Sequence, residues 1–292
     1  MPFANPQYLI ETDELAAQLD DPTLRIYDCS VFLRRDPERG FRTESGRDAW
    51  AESHIPGSGF VDLPHDLSDR DAELRFMMPP ASQFESVLGP LGLGDDARVV
   101  LYDRAGSMWA ARIWWMLRAM GFDNAALLNG GWQKWTDEGR PVSNEAPAYP
   151  AATFHAAPRE RLMAGKDDVL AGIGDAASCI VNALSVEQHN GGVAPYGRAG
   201  HISGSVNVPA VGDEGVLNPS TGAFRPAEEL ERLFRESGAL GAGRVITYCG
   251  GGIAASSDAF LLTLLGHEDV AVYDASLSEW AADESLPMES VV

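Results

Sequence analysis

Cys249 is the residue in this sequence best placed to act as a nucleophile. It follows a short apolar run, Val245–Tyr248, and is followed by three glycines and an alanine-rich segment. This order predicts a strand, a tight turn and a helix, with the thiol between the carboxyl end of the strand and the amino end of the helix. In an open α/β sheet, ligands bind in the crevice at that edge.

The three glycines, Gly250, Gly251 and Gly252, allow the turn to point several N–H groups inward. With Ile253 and Ala254, which complete the loop and open the helix, they would surround the sulfur with partial positive charge. Such surroundings favour the thiolate, which is the nucleophilic form of cysteine. The alternative is a buried cysteine that packs as a small hydrophobe beside a turn. Three consecutive glycines favour the reactive thiol.

The stretch from Cys249 to Ala254, CGGGIA, resembles the active loop of the rhodanese family of sulfurtransferases, especially its two-domain members. Two further stretches carry the same resemblance, GHISGSVNVP at 200–209 and YDASLSEW at 273–280. The resemblance implies that the cysteine takes a sulfane sulfur from a small donor, mercaptopyruvate or thiosulfate, and holds it as a persulfide. The acceptor would be cyanide, a thiol or a protein thiol. No metal and no organic cofactor is implied.

The order of predicted elements occurs twice along the chain. Matching residues lie 147, 146 and 145 positions apart in the pairs His54 and His201, Asp103 and Cys249, and Trp135 and Trp280. A repeat of half the chain indicates a duplicated domain. Strands alternating with helices predict two tandem rhodanese-like α/β domains, each a mostly parallel sheet covered by helices on both faces. We expect an N-terminal domain over 1–144, a linker rich in proline and alanine over 145–161, and a C-terminal catalytic domain over 162–292.

The first copy of the repeat lacks the nucleophile. Asp103, Arg104, Ala105 and Gly106 occupy the positions at which the second copy has Cys249 and its glycines. In the two-domain rhodaneses that this chain resembles, the first domain is also usually inactive. We therefore expect one site per chain, in the C-terminal domain and facing the domain interface.

Composition limits the classes of partner. The 292 residues include 43 acidic and 22 basic side chains, for a formal net charge of −21. Nucleic acids and anionic membranes require a basic surface, so neither is expected as a partner. From the sequence we expect neither a signal peptide nor a membrane-spanning segment. The three cysteines have no metal-ligand spacing, which fits a reducing cytoplasm, with Cys29 and Cys179 inert.

The residues around the loop bear on the choice of donor. The uncharged loop resembles that of mercaptopyruvate sulfurtransferases, because thiosulfate-specific rhodaneses typically have basic residues after the cysteine. Gly251 and Ala254, however, stand where mercaptopyruvate enzymes often have serine and threonine. Leu184 and Gln188 stand where those enzymes normally bring arginines to the substrate carboxylate. The donor is therefore less well defined than the fold.

Four further side chains are candidates for binding substrate. Arg198 is the first choice for an anion contact, because a guanidinium binds carboxylates and sulfonates with two parallel hydrogen bonds. Arg104 is the nearest cation in the other half of the chain. His189 lies within the stretch that differs from the mercaptopyruvate enzymes. His54 is a candidate for proton transfer across the interface, although its match with His201 favours a structural role for both.

The same cysteine loop is compatible with two alternatives to transfer from a small donor. Protein phosphatases and arsenate reductases use a similar loop, but their signature places an arginine six residues after the cysteine. That position is Ala255 here, which disfavours oxyanion chemistry. The second alternative is a sulfur-relay or binding module whose cysteine is charged by a partner protein and which has little activity on small donors.

Overall fold

The chain folds into two similar α/β halves in a computed structural model that describes residues 2–36, 40–212 and 214–291. The strands of the first half are β1 (Leu9–Ile10), β2 (Leu24–Asp28), β3 (Val31–Asp36), β4 (Gly40–Ser45), β5 (Ser58–Phe60), β6 (Arg98–Tyr102) and β7 (Ala125–Leu128). Its helices are α1 (Thr12–Ala16), α2 (Arg47–Glu52), α3 (Ala81–Leu88), α4 (Met108–Ala119) and α5 (Gly131–Asp137).

The second half repeats this plan. Its strands are β8 (Met163–Ala164), β9 (Ser178–Asn182), β10 (His201–Ile202), β11 (Val206–Asn207), β12 (Arg244–Tyr248), β13 (Val270–Tyr273) and β14 (Met288–Glu289). Its helices are α6 (Lys166–Gly172), α7 (Val186–Asn190), α8 (Ala227–Glu236), α9 (Ile253–Leu264) and α10 (Ser276–Trp280). None of the helices within the described ranges is long and apolar enough to span a membrane.

Each half is built on a five-stranded parallel sheet. The strand order is β1-β7-β6-β2-β5 in the first sheet and β11-β9-β12-β13-β8 in the second. The central strands β6 and β12 are almost fully buried, as expected when helices cover both faces of a parallel sheet. The predicted fold of two tandem parallel-sheet domains is confirmed.

Two local predictions were wrong. The charged stretch 32–46, of which 37–39 lie outside the described residues, predicts a loop from its sequence, but β3 and β4 pair there as an antiparallel hairpin from Val31 and Ser45 to Asp36 and Gly40. Thr12, followed by Asp13 and Glu14, has the sequence of an N-cap and predicts that it caps the first helix. Glu11 is the N-cap, because the Thr12 hydroxyl instead donates to a Glu138 carboxylate oxygen at 2.5 Å.

The segment between the two sheets is extended and packs on the first half. Its Tyr149 hydroxyl accepts a hydrogen bond from the Ile26 amide at 3.1 Å. Phe154 is buried against Phe84 and Phe122. Because the first sheet ends at Leu128 and the second begins at Met163, we propose domains over 1–144 and 162–292, joined by 145–161.

The two domains exchange equivalent contacts. Helices α4 and α9 pack against each other, with the rings of Trp114 and Phe260 edge to face at 4.9 Å. The Met78 amide of the first domain donates to Asp274 of the second at 2.7 Å. In the same way, the Phe224 amide of the second domain donates to Asn129 of the first at 2.9 Å. The segment before α3 in the first domain therefore contacts a loop of the second domain, and the segment before α8 in the second domain contacts a loop of the first.

Candidate active site

Cys249 lies directly after β12, the central strand of the second sheet, and is only 3% exposed. One hydroxyl fixes both ends of its loop. The Ser276 Oγ accepts hydrogen bonds from the amides of Cys249 at 3.0 Å and Gly252 at 3.2 Å. The same hydroxyl donates to the Tyr273 carbonyl at 2.7 Å. The loop is thus anchored to the end of β13 and cannot open without breaking these bonds.

The first residues of α10 set the direction of the loop peptides. The Cys249 carbonyl accepts from the Leu277 amide at 3.1 Å, and the Gly250 carbonyl accepts from the Ser278 amide at 2.9 Å. In a trans peptide the carbonyl of one residue and the N–H of the next point in opposite directions. With both carbonyls turned toward α10, the amides of Gly250 and Gly251 point away from it. These amides can stabilise negative charge at the sulfur.

The first domain shows that such a loop binds a carboxyl group. In the matching loop, the Asp103 carboxylate accepts hydrogen bonds from the amides of Ala105, Ser107, Trp109 and Ala110 at 2.7–2.9 Å. Burial raises the pKa of Asp103, and the amide hydrogen bonds oppose that shift by favouring the charged form. The last two donors are the second and third residues of α4, and Ala254 and Ala255 hold those places in α9. The duplicated loop therefore surrounds a fixed carboxyl group with amide donors in one copy and presents a thiol in the other.

Gly252 is required by both its conformation and its neighbours. It has φ +74°, and a β-carbon there would lie 2.9 Å from Asp274 Oδ1 and 3.0 Å from the Asp274 carbonyl. Left-handed backbone favours glycine because a β-carbon clashes with the chain. Here a side chain would also push against the residue that joins the domains.

We expect Gly252→Ala to destabilise the protein and to reduce its activity strongly. Gly238→Ala is the matched control, because Gly238 has φ +87° but open space around it. The control should lose only the roughly 1–2 kcal/mol of left-handed strain. Thermal unfolding and sulfur-transfer assays on both variants measure the difference. Equal losses in the two variants would show that contact with Asp274 does not restrict the side chain at position 252.

A buried arginine of the first domain lies beside this loop. Arg112, on α4, is fully buried, and its Nη2 lies 2.6 Å from Asp274 Oδ1 and donates to the Phe76 carbonyl at 2.7 Å. Arg112 and Asp274 form an ion pair, but the angle between the two groups is not that of a hydrogen bond. The Arg112 Nη1 would lie 3.2 Å from a β-carbon on Gly252. The site is therefore at the domain interface, with a cation of one domain against the loop of the other.

Tyr196 packs against the first glycine of the loop. It belongs to the exposed segment between α7 and β10, yet its ring is half-buried against Gly250. A β-carbon at position 250 would overlap the Tyr196 hydroxyl and ring. Burial, followed by the nearby charge of Cys249, raises the pKa of Tyr196. The phenol is therefore protonated at neutral pH, next to the candidate nucleophile.

The two predicted histidines lie in different domains, His54 after α2 and His189 on α7. The Nδ1 and Nε2 atoms of His54 contact the carbonyls of Trp50 and Glu145 at 2.7 and 3.1 Å, and the ring is fully buried. This side chain supports the fold and has no ring nitrogen left for proton transfer. His189 stacks on His201 at 3.8 Å. Burial and the neighbouring His201 lower the pKa of His189 to about 4, so it is neutral at physiological pH.

The two predicted arginines are engaged elsewhere. Arg198 donates to the carbonyls of Asp283 and Leu286 at 2.9 and 3.0 Å and so holds the C-terminal segment. Arg104 pairs with Asp28 at 3.2 Å, within its own domain. Its guanidinium also lies over the Trp132 ring, 4.1 Å from the centroid. These contacts replace the expected substrate contacts, and Leu184, where an arginine was anticipated, is buried.

The other two cysteines lack the surroundings of Cys249. Cys29 is fully buried, and burial raises the pKa of its thiol, with the charges of Asp28 and Asp103 acting in the same direction. Cys179 lies on β9, and burial raises its pKa as well. Both shifts disfavour the nucleophilic thiolate.

Sequence reasoning did not assign roles to the residues that hold the loop. Asp274 and Ser276 lie in the 273–280 stretch that carries the family resemblance. That resemblance points to their positions but does not say that they hold the loop. Arg112 and Tyr196 had no such signal. Each reaches the loop from an element distant in sequence, and only the fold brings it there.

Two parallel-sheet domains that meet at one cysteine loop place the chain in a class of tandem α/β proteins. The family model of the rhodanese-like domain matches residues 11–138 and 168–283, and the chain belongs to this family. It is 33% identical over 261 residues to the thiosulfate sulfurtransferase of Gallus gallus, covering 88% of this chain and 86% of the relative.

Two further relatives cover nearly the whole chain. The sulfur carrier protein TtuD of Thermus thermophilus is 31% identical over 304 residues, covering 99% of this chain and 98% of the relative. The crystal structure of SseA from Escherichia coli, described as a 3-mercaptopyruvate sulfotransferase, superposes with a TM-score of 0.80 at 27% identity. That match covers 92% of this chain and 98% of SseA.

Proposed function

We propose that this protein moves a sulfane sulfur from a small donor to a thiophilic acceptor through a persulfide on Cys249. The observation that carries the proposal is the loop itself. The amides of Gly250 and Gly251 face away from α10, and in the matching loop of the first domain four amides of the loop and of the first turn of α4 bind the Asp103 carboxylate. The donors we propose are mercaptopyruvate and thiosulfate, in line with the similarity to sulfurtransferases named for both.

The chemistry follows from the loop geometry. The Cys249 thiolate attacks the outer sulfur of the donor, and the bond from that sulfur to the rest of the donor breaks, leaving its electron pair on the donor. The charge that remains on the terminal sulfur lies within the amide cradle, which holds it without any rearrangement. Cyanide, a small thiol or a protein thiol then removes the sulfur. Two separate half-reactions predict ping-pong kinetics.

A relay function is the second candidate. Within the described parts of the chain, the arginines expected to bind a donor anion, Arg104 and Arg198, are held by other groups. A donor presented by a partner protein would need no such contact, and one relative is named a sulfur carrier protein. We propose the reducing cytoplasm as the site of action for either candidate, since all three cysteines are free thiols.

The test is to incubate the protein with mercaptopyruvate and, separately, with thiosulfate, and to weigh its cysteine peptides. We expect the Cys249 peptide to gain about 32 Da, the mass of one sulfur atom in a persulfide. Added cyanide should then release thiocyanate and restore the original mass. A gain on the Cys29 or Cys179 peptide would contradict the assignment. Loading only from a persulfidated protein would favour the relay.

A further inference from the structure

Gly250 and Gly251 differ in what a side chain would meet, although neither lies in the left-handed region of φ. A β-carbon at position 251 would have only Ser278 Oγ nearby, at 3.9 Å. At position 250 it would overlap Tyr196. Backbone strain therefore does not explain the glycine after the cysteine. Tyr196 fills the place that a side chain at position 250 would take.

The hydroxyl of Tyr196 is free to bind a substrate. It makes no hydrogen bond to any other group in the described ranges, whereas the buried hydroxyls of Tyr102 and Tyr248 bond to Ser58 and Ser205. Half-buried phenol groups usually have a hydrogen-bond partner. The hydroxyl rests on the residue after Cys249, so its partner would be the group that Cys249 carries.

We propose that Tyr196 is a catalytic residue whose O–H donates a hydrogen bond to the terminal sulfur of the Cys249 persulfide. This inference rests on the proposed function. In the loading step, the Cys249 thiolate bonds to the outer sulfur of thiosulfate, the S–S bond of the donor breaks, and sulfite leaves with the electron pair. The negative charge then resides on the terminal sulfur of the persulfide. Tyr196 keeps its proton throughout and supplies a neutral donor in addition to the loop amides.

The position of the Tyr196 ring also bears on the absence of a basic residue directly after Cys249. A neutral phenol holds one negative sulfur without attracting a second anionic group, whereas a basic residue after the cysteine would favour the sulfonate of thiosulfate. A basic side chain at position 250 would have to displace the Tyr196 ring from the loop. Donors without a sulfonate should therefore be loaded at least as readily as thiosulfate.

The first experiment measures the loading equilibrium of Tyr196→Phe, which keeps the ring and removes only the hydroxyl. At a fixed ratio of thiosulfate to sulfite, we expect the ratio of persulfidated to free Cys249 to fall roughly 10- to 100-fold, the equivalent of one hydrogen bond to a charged group. Tyr8→Phe is the control, since the Tyr8 hydroxyl accepts from Arg118 far from the loop. A purely structural role would change the melting temperature and leave this ratio unaltered.

The second experiment tests the geometry with alanine at the two glycines. Gly250→Ala should lower both the melting temperature and the loading rate, and Gly251→Ala should change the melting temperature little. Adding Tyr196→Ala to Gly250→Ala should restore the melting temperature while loading stays low. Equal stability of the two single variants would overturn the proposed position of Tyr196.

The outcomes separate the two proposals. A wild-type protein that gains no sulfur on Cys249 from any donor overturns the proposed function and this inference together. A wild type that loads normally, with Tyr196→Phe loading to the same equilibrium ratio, overturns the role of Tyr196 alone.

Discussion

Cys249→Ser should abolish sulfur transfer, with a loss of roughly a thousandfold or more, as expected when a nucleophile is removed. A serine hydroxyl is nearly unionised at neutral pH and cannot carry a sulfur as a persulfide. The substitution changes the volume of the side chain little, and the loop is anchored by backbone bonds to Ser276 that do not involve the thiol. The fold should therefore be retained, with a melting temperature within about 2 °C of the wild type.

The measurement is thiocyanate formation from each donor, alongside circular dichroism of the same samples. Cys179→Ser is the matched control, because Cys179 lies on β9 outside the loop and shares the chemistry of the substitution. It should keep full activity and load one sulfur. Activity retained by Cys249→Ser, or lost by Cys179→Ser, would place the nucleophile elsewhere in the chain.

The strand, loop and helix around Cys249 could be predicted because their signals are local. The apolar run of β12, the glycines and the alanine-rich start of α9 lie within 21 consecutive residues. The internal repeat added a second, independent signal for the fold. The hairpin of β3 and β4 had no such pattern, because it projects charged side chains to solvent and even Leu33 is 48% exposed. Alternation of apolar residues marks a strand only when one face is buried.

The side chains that complete the site could not be predicted by residue type. Arg198 and Arg104 had the right chemistry for binding an anion, but backbone carbonyls of 283 and 286 hold the first and Asp28 holds the second. Arg112 and Tyr196 reach the loop from an interdomain helix and from an irregular segment. A guanidinium or phenol can bind a ligand only if the fold does not already provide it with a partner. That information is long-range, and neither spacing nor composition contains it.

Arg112→Met should be the most destabilising single substitution at the domain interface, costing about 3–5 kcal/mol, as when one partner of a buried ion pair is removed. The variant leaves the Asp274 carboxylate without its cation and the Phe76 carbonyl without its donor. Asp274 also accepts from the Met78 amide, so the segment of the first domain that covers the loop should loosen. We expect sulfur transfer to fall together with stability.

Urea unfolding of a small set of variants separates the ion pair from general effects of the substitution. Arg235→Met removes an exposed arginine that pairs with Glu231 on α8, and it should change stability by less than about 1 kcal/mol. Combining Arg112→Met with Asp274→Asn should recover part of the loss, because the orphaned charge is then gone. If Arg112→Met unfolds at the urea concentration of the wild type, the pair contributes nothing to joining the domains. The loop would then owe its position to Ser276 and the first turn of α10 alone.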